Sequence, residues 1–188
     1  MNMTTGEKLE ALRAHMRAHH MQAYIVPTDD YHASEYVGDY FKARTYLSGF
    51  TGSAGTLVVL EQEAALWTDG RYFLQAADQL DGSGIALMKS VQPGVPKIAR
   101  YLAEKLADGS IVGFDGRTVS HSFVEELHQE LDVHQISYEG SYDLVDLVWT
   151  DRPPMSKQPV YELDAAYAGM GREEKLVQLR GDLREAGA

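Results

Sequence analysis

Three glycines at three-residue spacing stand directly before an apolar run, and this arrangement constrains the fold more than any other part of the chain. Gly49, Gly52 and Gly55 precede residues 57–60, Leu-Val-Val-Leu. Glycine adopts backbone angles that other residues avoid and lets other chain segments approach closely. A second apolar run, residues 64–67, follows after a short link, so the two runs predict a β-hairpin. We therefore expect a shaped loop that forms surface where strands begin and end.

Helical and strand patterns alternate through the first 150 residues. Strands are predicted at residues 22–26, 56–60, 63–68, 85–90, 111–114 and 134–138. Helices are predicted at residues 7–19, 39–48, 70–80, 96–106, 120–131 and 144–149. Such alternation is typical of an α/β layered domain in which helices flank a sheet. Because a hairpin joins two of the strands, we expect a mixed β-sheet and not a fully parallel one.

Composition excludes several classes of function. The chain has 188 residues, which suffice for one good core but not for two full domains. Its formal charge of −11 argues against a nucleic-acid partner and gives no support for an anionic membrane surface. No apolar run approaches the ~20 residues that span a bilayer, and residues 1–8 lack the apolar segment of a secretion signal. Cysteine is absent, which excludes disulfides, and a cytoplasmic location is the simplest interpretation.

The last part of the chain differs from the rest. Residues 151–170 contain three prolines with little periodicity, which predicts a linker. Residues 174–180, Glu-Lys-Leu-Val-Gln-Leu-Arg, then repeat residues 7–13, Glu-Lys-Leu-Glu-Ala-Leu-Arg. The first copy leads into a strand, whereas the second copy stops at Ala188. We predict a first domain at 1–150, a linker at 151–170 and the first helix of a truncated second domain at 171–188; a chance match between amphipathic helices is the alternative.

Several familiar kinds of site do not fit the sequence. The glycine loop lacks the Gly-Lys-Ser/Thr ending of a nucleotide loop and leads into a strand instead of a helix. Ser53 is not in a Gly-x-Ser-x-Gly setting, and it precedes a strand. His15 and His19 lie one helical turn apart but lack a third metal ligand. We therefore predict no catalytic residue and no metal ligand in this chain.

Asp69, Arg71 and Tyr72 follow a predicted strand directly, and their roles remain open. Asp69 can cap the next helix, or it can form a buried pair with Arg71 or Arg44. The functional alternative places Arg44, Arg71 and Tyr72 on an edge that faces a catalytic domain. An arginine there can meet a carboxylate with two hydrogen bonds, either on a peptide or on another domain.

Four stretches, taken in order and spacing, resemble one family. They are Asp30-Tyr-His-Ala-Ser-Glu-Tyr36, Arg44, residues 47–56 and residues 66–76. Together they resemble the first domain of the three-domain Xaa-Pro aminopeptidases (aminopeptidase P), members of the creatinase/prolidase superfamily. The resemblance runs from about residue 9 to about residue 169, and residues 149–153 resemble the exit from that domain. It implies the creatinase/prolidase N-terminal fold, with its ribonuclease H-like motif.

The resemblance also implies a function for the parent protein. Family members remove an N-terminal residue that precedes proline, using two divalent metal ions, usually manganese, to activate a hydroxide. Their ligands lie in the third domain, and no position of this sequence matches them. The resemblance thus implies a chain without its own cofactor or peptidase activity that shapes the substrate cleft and subunit contacts. Its expected partners are the missing second and catalytic domains, proline-containing peptides in the parent and a second subunit of a homodimer.

The resemblance implies two groups of site residues. At the substrate-cleft edge we expect Arg44, Phe50, Asp69, Arg71 and Tyr72. As a structural motif we expect Asp30, His32, Gly49, Gly52 and Gly55, with His32 orienting its loop through Asp30 or Ser34. Two other functions stay open: a peptide- or protein-binding module of the same fold without an enzyme parent, as in a histone-chaperone subunit, and the N-terminal domain of a creatinase-like amidinohydrolase. The run Gly-Phe-Thr-Gly-Ser-Ala-Gly favours the aminopeptidase branch.

Overall fold

A six-stranded β-sheet forms the centre of the first part of the chain. The computed structural model describes residues 3–187. The strands are β1 (Ala23–Pro27), β2 (Thr56–Leu60), β3 (Ala64–Thr68), β4 (Ile85–Lys89), β5 (Ile111–Phe114) and β6 (Ser137–Glu139), in the sheet order β4-β3-β2-β1-β5-β6. β2 runs antiparallel to β1 and β3, and the other neighbouring pairs are parallel. The predicted mixed sheet and its hairpin are confirmed.

The reversed direction of β2 brings several loops to one edge of the sheet. The other five strands all run the same way, so their last residues lie at this edge beside the first residue of β2. In the register, Thr56 at the start of β2 pairs with Pro27 of β1 and with Trp67 of β3. We call this the carboxyl edge. In open α/β sheets, ligands commonly bind beyond the carboxyl ends of the strands.

Helices cover both faces of the sheet. In the first part of the chain they are α1 (Thr5–Ala18), α2 (Ala43–Ser48), α3 (Phe73–Gln79), α4 (Ile98–Lys105), α5 (His121–Leu131) and α6 (Leu144–Val148). One core joins α1, α2, α3 and α6 to one face, and a second core joins α4 and α5 to the other. Along β1, Tyr24 and Val26 belong to the first core, while Ala23 and Ile25 belong to the second. Because both faces are covered, the central strands β1, β2 and β3 are apolar along nearly their whole length.

Local sequence explains where the predicted helices start. The Thr4 hydroxyl accepts a hydrogen bond from the Glu7 N–H, and the Glu7 carboxylate accepts one from the Thr4 N–H, which together form a capping box. α1 therefore begins slightly before the predicted residue 7. Ser120 accepts a hydrogen bond from the Phe123 N–H at 3.2 Å, as expected for the cap of α5. Within residues 3–187, no helix is both long enough and apolar enough to cross a bilayer.

Two elements differ from the sequence-based expectation. The strand predicted at 134–138 lies instead at Ser137–Glu139. Residues Asp132–His134 form a 3₁₀ turn, and Gln135 has a φ of +55°, which is left-handed and incompatible with extended backbone. The helix predicted at 39–48 is divided into a 3₁₀ turn, Asp39–Phe41, and α2. The predicted domain bounds include Met1, Asn2 and Ala188, which lie outside the described residues.

The region after Met155 forms a separate compact unit. It contains α7 (Ala165–Ala168), which lies inside the predicted linker, and α8 (Arg172–Glu185). The repeated sequence places Leu176, Leu179 and Leu183 of α8 at the positions that Leu9, Leu12 and Met16 occupy in α1. The α1 residues are buried, whereas those of α8 are 40%, 52% and 44% exposed. The same apolar pattern is therefore buried in α1 and exposed to solvent in α8. The second domain stays a prediction.

Replacing Tyr24 with phenylalanine is expected to destabilise the first unit. The buried Tyr24 hydroxyl donates a hydrogen bond to the Tyr142 carbonyl at 2.5 Å and accepts one from the Leu144 N–H at 3.1 Å. Loss of this hydroxyl leaves two backbone groups without a partner, so the free energy of unfolding in urea should fall by about 1–3 kcal/mol. Tyr138→Phe is the control, because its hydroxyl has no hydrogen bond within residues 3–187. Equal stability of the two variants would contradict this prediction.

Candidate functional site

The glycine loop, residues 49–55, has a shape that only glycine permits. Gly49 ends α2 with a φ of +75°. At Gly52, a Cβ atom would lie 2.3 Å from Cζ of Phe50 and 2.7 Å from Cδ1 of Tyr72. At Gly55, it would lie 3.0 Å from the Trp67 carbonyl oxygen. Gly52 thus lies against the ring of Phe50 within the loop and the ring of Tyr72 outside it, and Gly55 lies against the backbone of β3.

Arg44 holds the glycine loop from inside the domain. Its Nη1 donates to the Phe50 carbonyl at 2.8 Å, its Nη2 donates to the Gly52 carbonyl, and its Nε donates to the Thr28 hydroxyl. The guanidinium also lies 4.7 Å from the centre of the Phe50 ring. Burial lowers the pKa of Arg44 to about 10, which leaves the side chain charged near neutral pH. One buried cation therefore satisfies two loop carbonyls and a side chain of the segment after β1.

The structure corrects the predicted positions of Arg44 and Phe50. We expected both at the substrate-cleft edge, and the structure places both side chains inside the domain, with Arg44 3% exposed and Phe50 fully buried. Of the two alternative partners for a buried pair with Asp69, Arg44 makes no such contact within residues 3–187, because its guanidinium is directed to carbonyl and hydroxyl oxygens. Both side chains lie inside the domain beneath the glycine loop. They support the carboxyl edge but are not exposed on its surface.

Five side chains meet on the exposed side of the carboxyl edge; we call them the edge cluster. Arg71 Nη2 lies 2.9 Å from Asp69 Oδ2, and Arg71 Nη1 lies 2.9 Å from Glu35 Oε1. The Ser53 hydroxyl lies 2.9 Å from Glu35 Oε1 and 2.7 Å from the Tyr72 hydroxyl. The side chains of Arg71, Glu35 and Asp69 are 57%, 46% and 39% exposed. The predicted residues Asp69, Arg71 and Tyr72 thus come together at the surface.

Asp69 has a different local role from either structural role predicted for it. Its Oδ1 accepts hydrogen bonds from the backbone N–H and the Nε of Arg71, both at 3.0 Å. α3 then starts only at Phe73, and its N-cap residue Tyr72 makes no side-chain capping bond. Asp69 therefore does not cap a helix, and its pair with Arg71 is exposed instead of buried. The tight turn through Gly70 explains why the helix begins later than predicted.

The charges of the edge cluster hold one another in the ionised state. Hydrogen bonds from Arg71 lower the pKa of the Asp69 carboxyl below its usual value. Hydrogen bonds from Arg71 and Ser53 likewise lower the pKa of Glu35. The same contacts raise the pKa of Arg71, chiefly through Asp69. With two carboxylates and one guanidinium, the cluster is a net negative surface near neutral pH.

Asp30 organises the loop between β1 and α2. Its Oδ1 accepts hydrogen bonds from the backbone N–H groups of His32 at 2.8 Å and Ser34 at 3.0 Å. The side chain of His32 is exposed, and His32 meets Asp30 through its backbone N–H. This turn carries Glu35 toward the edge cluster.

Two concave surfaces adjoin the carboxyl edge. One, of about 200 Å³, is lined by Glu35, Ser53 and Arg44 together with Tyr36 and Thr51. The other, of about 350 Å³, lies by α4 and α5 and is lined by Trp67, Ile98, Phe123, Leu127 and Asp69. The first contains more of the predicted edge residues and their partners. Across residues 3–187, no group of three or more His, Cys, Asp or Glu side chains is arranged to hold a metal ion.

Sequence reasoning missed Glu35, Ser53 and a second copy of the arginine turn. Residues 115–117 repeat the Asp-Gly-Arg of residues 69–71 directly after β5. Arg117 Nε and Nη2 each lie 2.9 Å from an Asp115 oxygen, the geometry that Arg71 makes with Asp69. Arg117 also reaches a second carboxylate, Asp143, at 3.3 Å. The repeated triplet was visible in the sequence, but the partners Glu35 and Ser53 come from distant segments and had no local signal.

Comparison with known proteins identifies the family. Residues 8–148 match the model of the Creatinase/Prolidase N-terminal domain. The chain belongs to this family. It is 43% identical to a probable Xaa-Pro aminopeptidase P of Sordaria macrospora over 98% of this chain and 30% of that protein. It is 44% identical to aminopeptidase P2 of Arabidopsis thaliana over 89% of this chain and 24% of that protein. The chain therefore spans less than a third of the length of these relatives.

Solved structures of the Creatinase/Prolidase N-terminal family share the fold. An X-prolyl aminopeptidase from Caenorhabditis elegans, described as a cytosolic enzyme with a di-nuclear active site, superposes with a TM-score of 0.85 at 36% identity. That match covers 99% of this chain and 32% of the enzyme. The N-terminal domain of the cytoplasmic peptidase PepQ from Mycobacterium tuberculosis matches with a TM-score of 0.54 at 26% identity, over 75% of this chain and 97% of that domain. The predicted family and fold are confirmed.

The variant Arg44→Met is expected to loosen the glycine loop and destabilise the first unit. Methionine fills part of the space but leaves the buried carbonyls of Phe50 and Gly52 without donors. The free energy of unfolding in urea should fall by about 3 kcal/mol or more. Arg100→Met, which removes an exposed arginine paired with Glu104, is the matched control and should change stability little. A loss for Arg44→Met no larger than that of the control would contradict the proposed role.

The variant Arg71→Gln is expected to raise the carboxyl pKa values of Asp69 and Glu35 toward their ordinary range. Carbon-13 NMR titration of the two carboxyl groups measures this directly. Because both folded-state values are depressed, the stability that Arg71 provides is present above the unfolded-state pKa and is lost as pH falls through the folded-state pKa. The stability difference between wild type and variant should therefore shrink below about pH 4. Unchanged carboxyl pKa values in the variant would disprove the electrostatic coupling.

Proposed function

We propose that this chain is the non-catalytic N-terminal domain of a metal-dependent Xaa-Pro aminopeptidase, which removes the N-terminal residue from peptides whose second residue is proline. The match of residues 8–148 to the family carries this proposal. Relatives with 43% and 44% identity bear aminopeptidase names, and the superposed C. elegans enzyme is an X-prolyl aminopeptidase. The chain spans less than a third of those proteins, so the activity belongs to the longer parent.

The edge cluster is the part of this domain that we assign to the substrate cleft. Sequence reasoning expected Arg71 to meet a carboxylate of a peptide or of another domain. Within the chain, Asp69 and Glu35 already occupy both terminal nitrogens of Arg71. The net negative charge that results favours the cationic end of a peptide, its free α-amino group, over a carboxylate. Asp69, Arg71 and Tyr72 then form a rim that orients the peptide, while Arg44 and Phe50 support it from behind.

The metal chemistry is assigned to the rest of the parent. The family uses two divalent ions, for which manganese is our proposal, and the C. elegans enzyme is described as di-nuclear. The residues of this chain do not fit such a centre, since residues 3–187 contain no group of three or more candidate ligands. The role we assign to residues of this chain is to bind and orient the peptide. They do so through the charge of the edge cluster and through the rigid glycine loop that supports it.

The proposed partners follow from the same assignment. They are a second domain and a catalytic domain of the same polypeptide, proline-containing peptides in the parent and a second subunit of a homodimer. The exposed leucine row of α8 is compatible with a further domain that repeats the packing of α1. We propose a cytoplasmic location, supported by the cytosolic C. elegans enzyme, and no nucleic-acid or membrane partner.

Peptidase assays with an Arg-Pro-Pro peptide and manganese test the proposal. This chain alone should release no arginine, whereas a longer protein that contains it and the metal-binding region should. In that longer protein, Arg71→Gln should lower kcat/KM by about tenfold, because Asp69 and Glu35 lose the guanidinium that holds them in position at the rim. Arg117→Gln is the matched control, because Arg117 makes the same turn after β5 but does not contact Glu35 or Ser53.

Two outcomes would contradict the assignments separately. Turnover by this chain alone, at a rate typical of enzymes, would disprove the non-catalytic role. Equal kcat/KM for the folded Arg71 and Arg117 variants would contradict the assignment of the edge cluster to the substrate cleft. It would not contradict the proposal that the parent protein is a peptidase. If the longer protein is inactive, calorimetry of this chain with histone tails and proline-rich peptides would test the binding-module alternative.

A further inference from the structure

The chain contains four Asp-Gly pairs, and they differ in whether the aspartate carboxyl and the glycine N–H are held by hydrogen bonds. They are Asp69-Gly70, Asp81-Gly82, Asp108-Gly109 and Asp115-Gly116. In such a pair, the glycine nitrogen can attack the aspartate Cγ, and a new N–Cγ bond forms while a carboxyl oxygen leaves as water. Water then opens the resulting succinimide. Opening at the former Cγ restores aspartate, and opening at the other carbonyl gives isoaspartate, with no oxidant or other reactant required.

The reaction needs two free groups, the aspartate carboxyl and the glycine N–H, placed close together in a reactive geometry. Asp115-Gly116 has neither group free. Arg117 holds both carboxylate oxygens of Asp115, and the Gly116 N–H donates to the Gly140 carbonyl at 2.9 Å. The side chain of Asp115 is also only 14% exposed.

Two other pairs each have one group restrained. The carboxylate of Asp69 is held by Arg71 through both oxygens, with the distances given above. At Asp108-Gly109 the restraint is on the nitrogen, because the Gly109 N–H donates to the Gln135 carbonyl at 3.1 Å. In each case, one contact must break before the ring can close.

Asp81-Gly82 is the pair in which both groups are free. It lies in the turn between α3 and β4, and both residues are exposed. Within residues 3–187, the Asp81 carboxylate has no hydrogen bond or ion pair, and the Gly82 N–H has no acceptor. The turn around them is closed by other contacts, the Ser83 N–H to the Leu80 carbonyl at 3.1 Å and the Ile85 N–H to the Ser83 hydroxyl at 3.1 Å.

We propose that Asp81 is the principal site of spontaneous isomerisation to isoaspartate in this chain. The modification inserts one methylene into the backbone of the turn that leads to β4, which pairs with β3 from Ile85 onward. It also alters the end of α3, where Gln79 accepts a hydrogen bond from the Thr51 N–H at 2.9 Å. Isomerisation of Asp81 therefore acts on the helix that holds the outer side of the glycine loop.

Ageing of the whole chain tests the proposal. The folded protein is incubated near neutral pH and 37 °C, digested, and the aspartate and isoaspartate forms of the four peptides are quantified by liquid chromatography and mass spectrometry. Isoaspartate at Asp81 should exceed that at Asp115 by at least about tenfold, because each restraining contact raises the barrier. Asp69 and Asp108 should fall between them. Asp81→Glu should remove the main signal, since the larger ring forms far more slowly.

Two controls show whether the fold or the local sequence decides. In the urea-unfolded chain, all four sites should isomerise at similar rates. In folded Arg71→Gln, isoaspartate at Asp69 should increase several-fold while that at Asp81 is unchanged. Similar amounts at Asp81 and Asp115 in the folded chain would overturn the proposal, and so would the same ranking of sites in the unfolded chain.

Discussion

The carboxyl edge depends on the hydrogen bonds that one buried arginine, Arg44, makes with the glycine loop. Arg44 has no carboxylate partner within residues 3–187. Its guanidinium donates hydrogen bonds to two loop carbonyls and to the Thr28 hydroxyl. Buried charge is costly unless it is fully hydrogen-bonded, so the loop and the guanidinium stabilise each other. The absence of a Cβ at Gly52 lets Phe50 and Tyr72 close over the same point. The position of Tyr72, and of the hydroxyl contact it makes with Ser53, follows from this packing.

Sheet topology explains why the polar side chains meet where they do. Because β2 runs opposite to its neighbours, the loop that enters β2 lies between the segments that leave β1 and β3. Glu35, Ser53 and Arg71 come from those three segments and make contacts across 18 and 36 residues of sequence. A rigid sheet that brings several loops together at one edge is suited to carrying a binding surface. The family membership of the chain is consistent with that use.

Identical short sequences have different chemistry in this chain because their surroundings differ. The two Asp-Gly-Arg turns have the same internal geometry, but only the first touches the glycine loop, through Glu35 and its partner Ser53. The four Asp-Gly pairs differ in which reacting groups are restrained. The repeated helix sequence is buried in α1 and exposed in α8. In each case local sequence specifies the backbone conformation, while neighbours from elsewhere specify exposure and charge.

The sequence by itself determined most of the elements, the hairpin, the mixed sheet, the cap at Ser120 and the need for glycine at positions 49, 52 and 55. These features depend on periodicity, capping chemistry and backbone sterics, which act over a few residues. Only the tertiary structure decided that Arg44 and Phe50 are buried, that Asp69 turns back to Arg71 instead of capping α3, and that Glu35 and Ser53 join the edge cluster. Those outcomes depend on strand pairing between distant segments, and no local pattern encodes which side chains that pairing brings together.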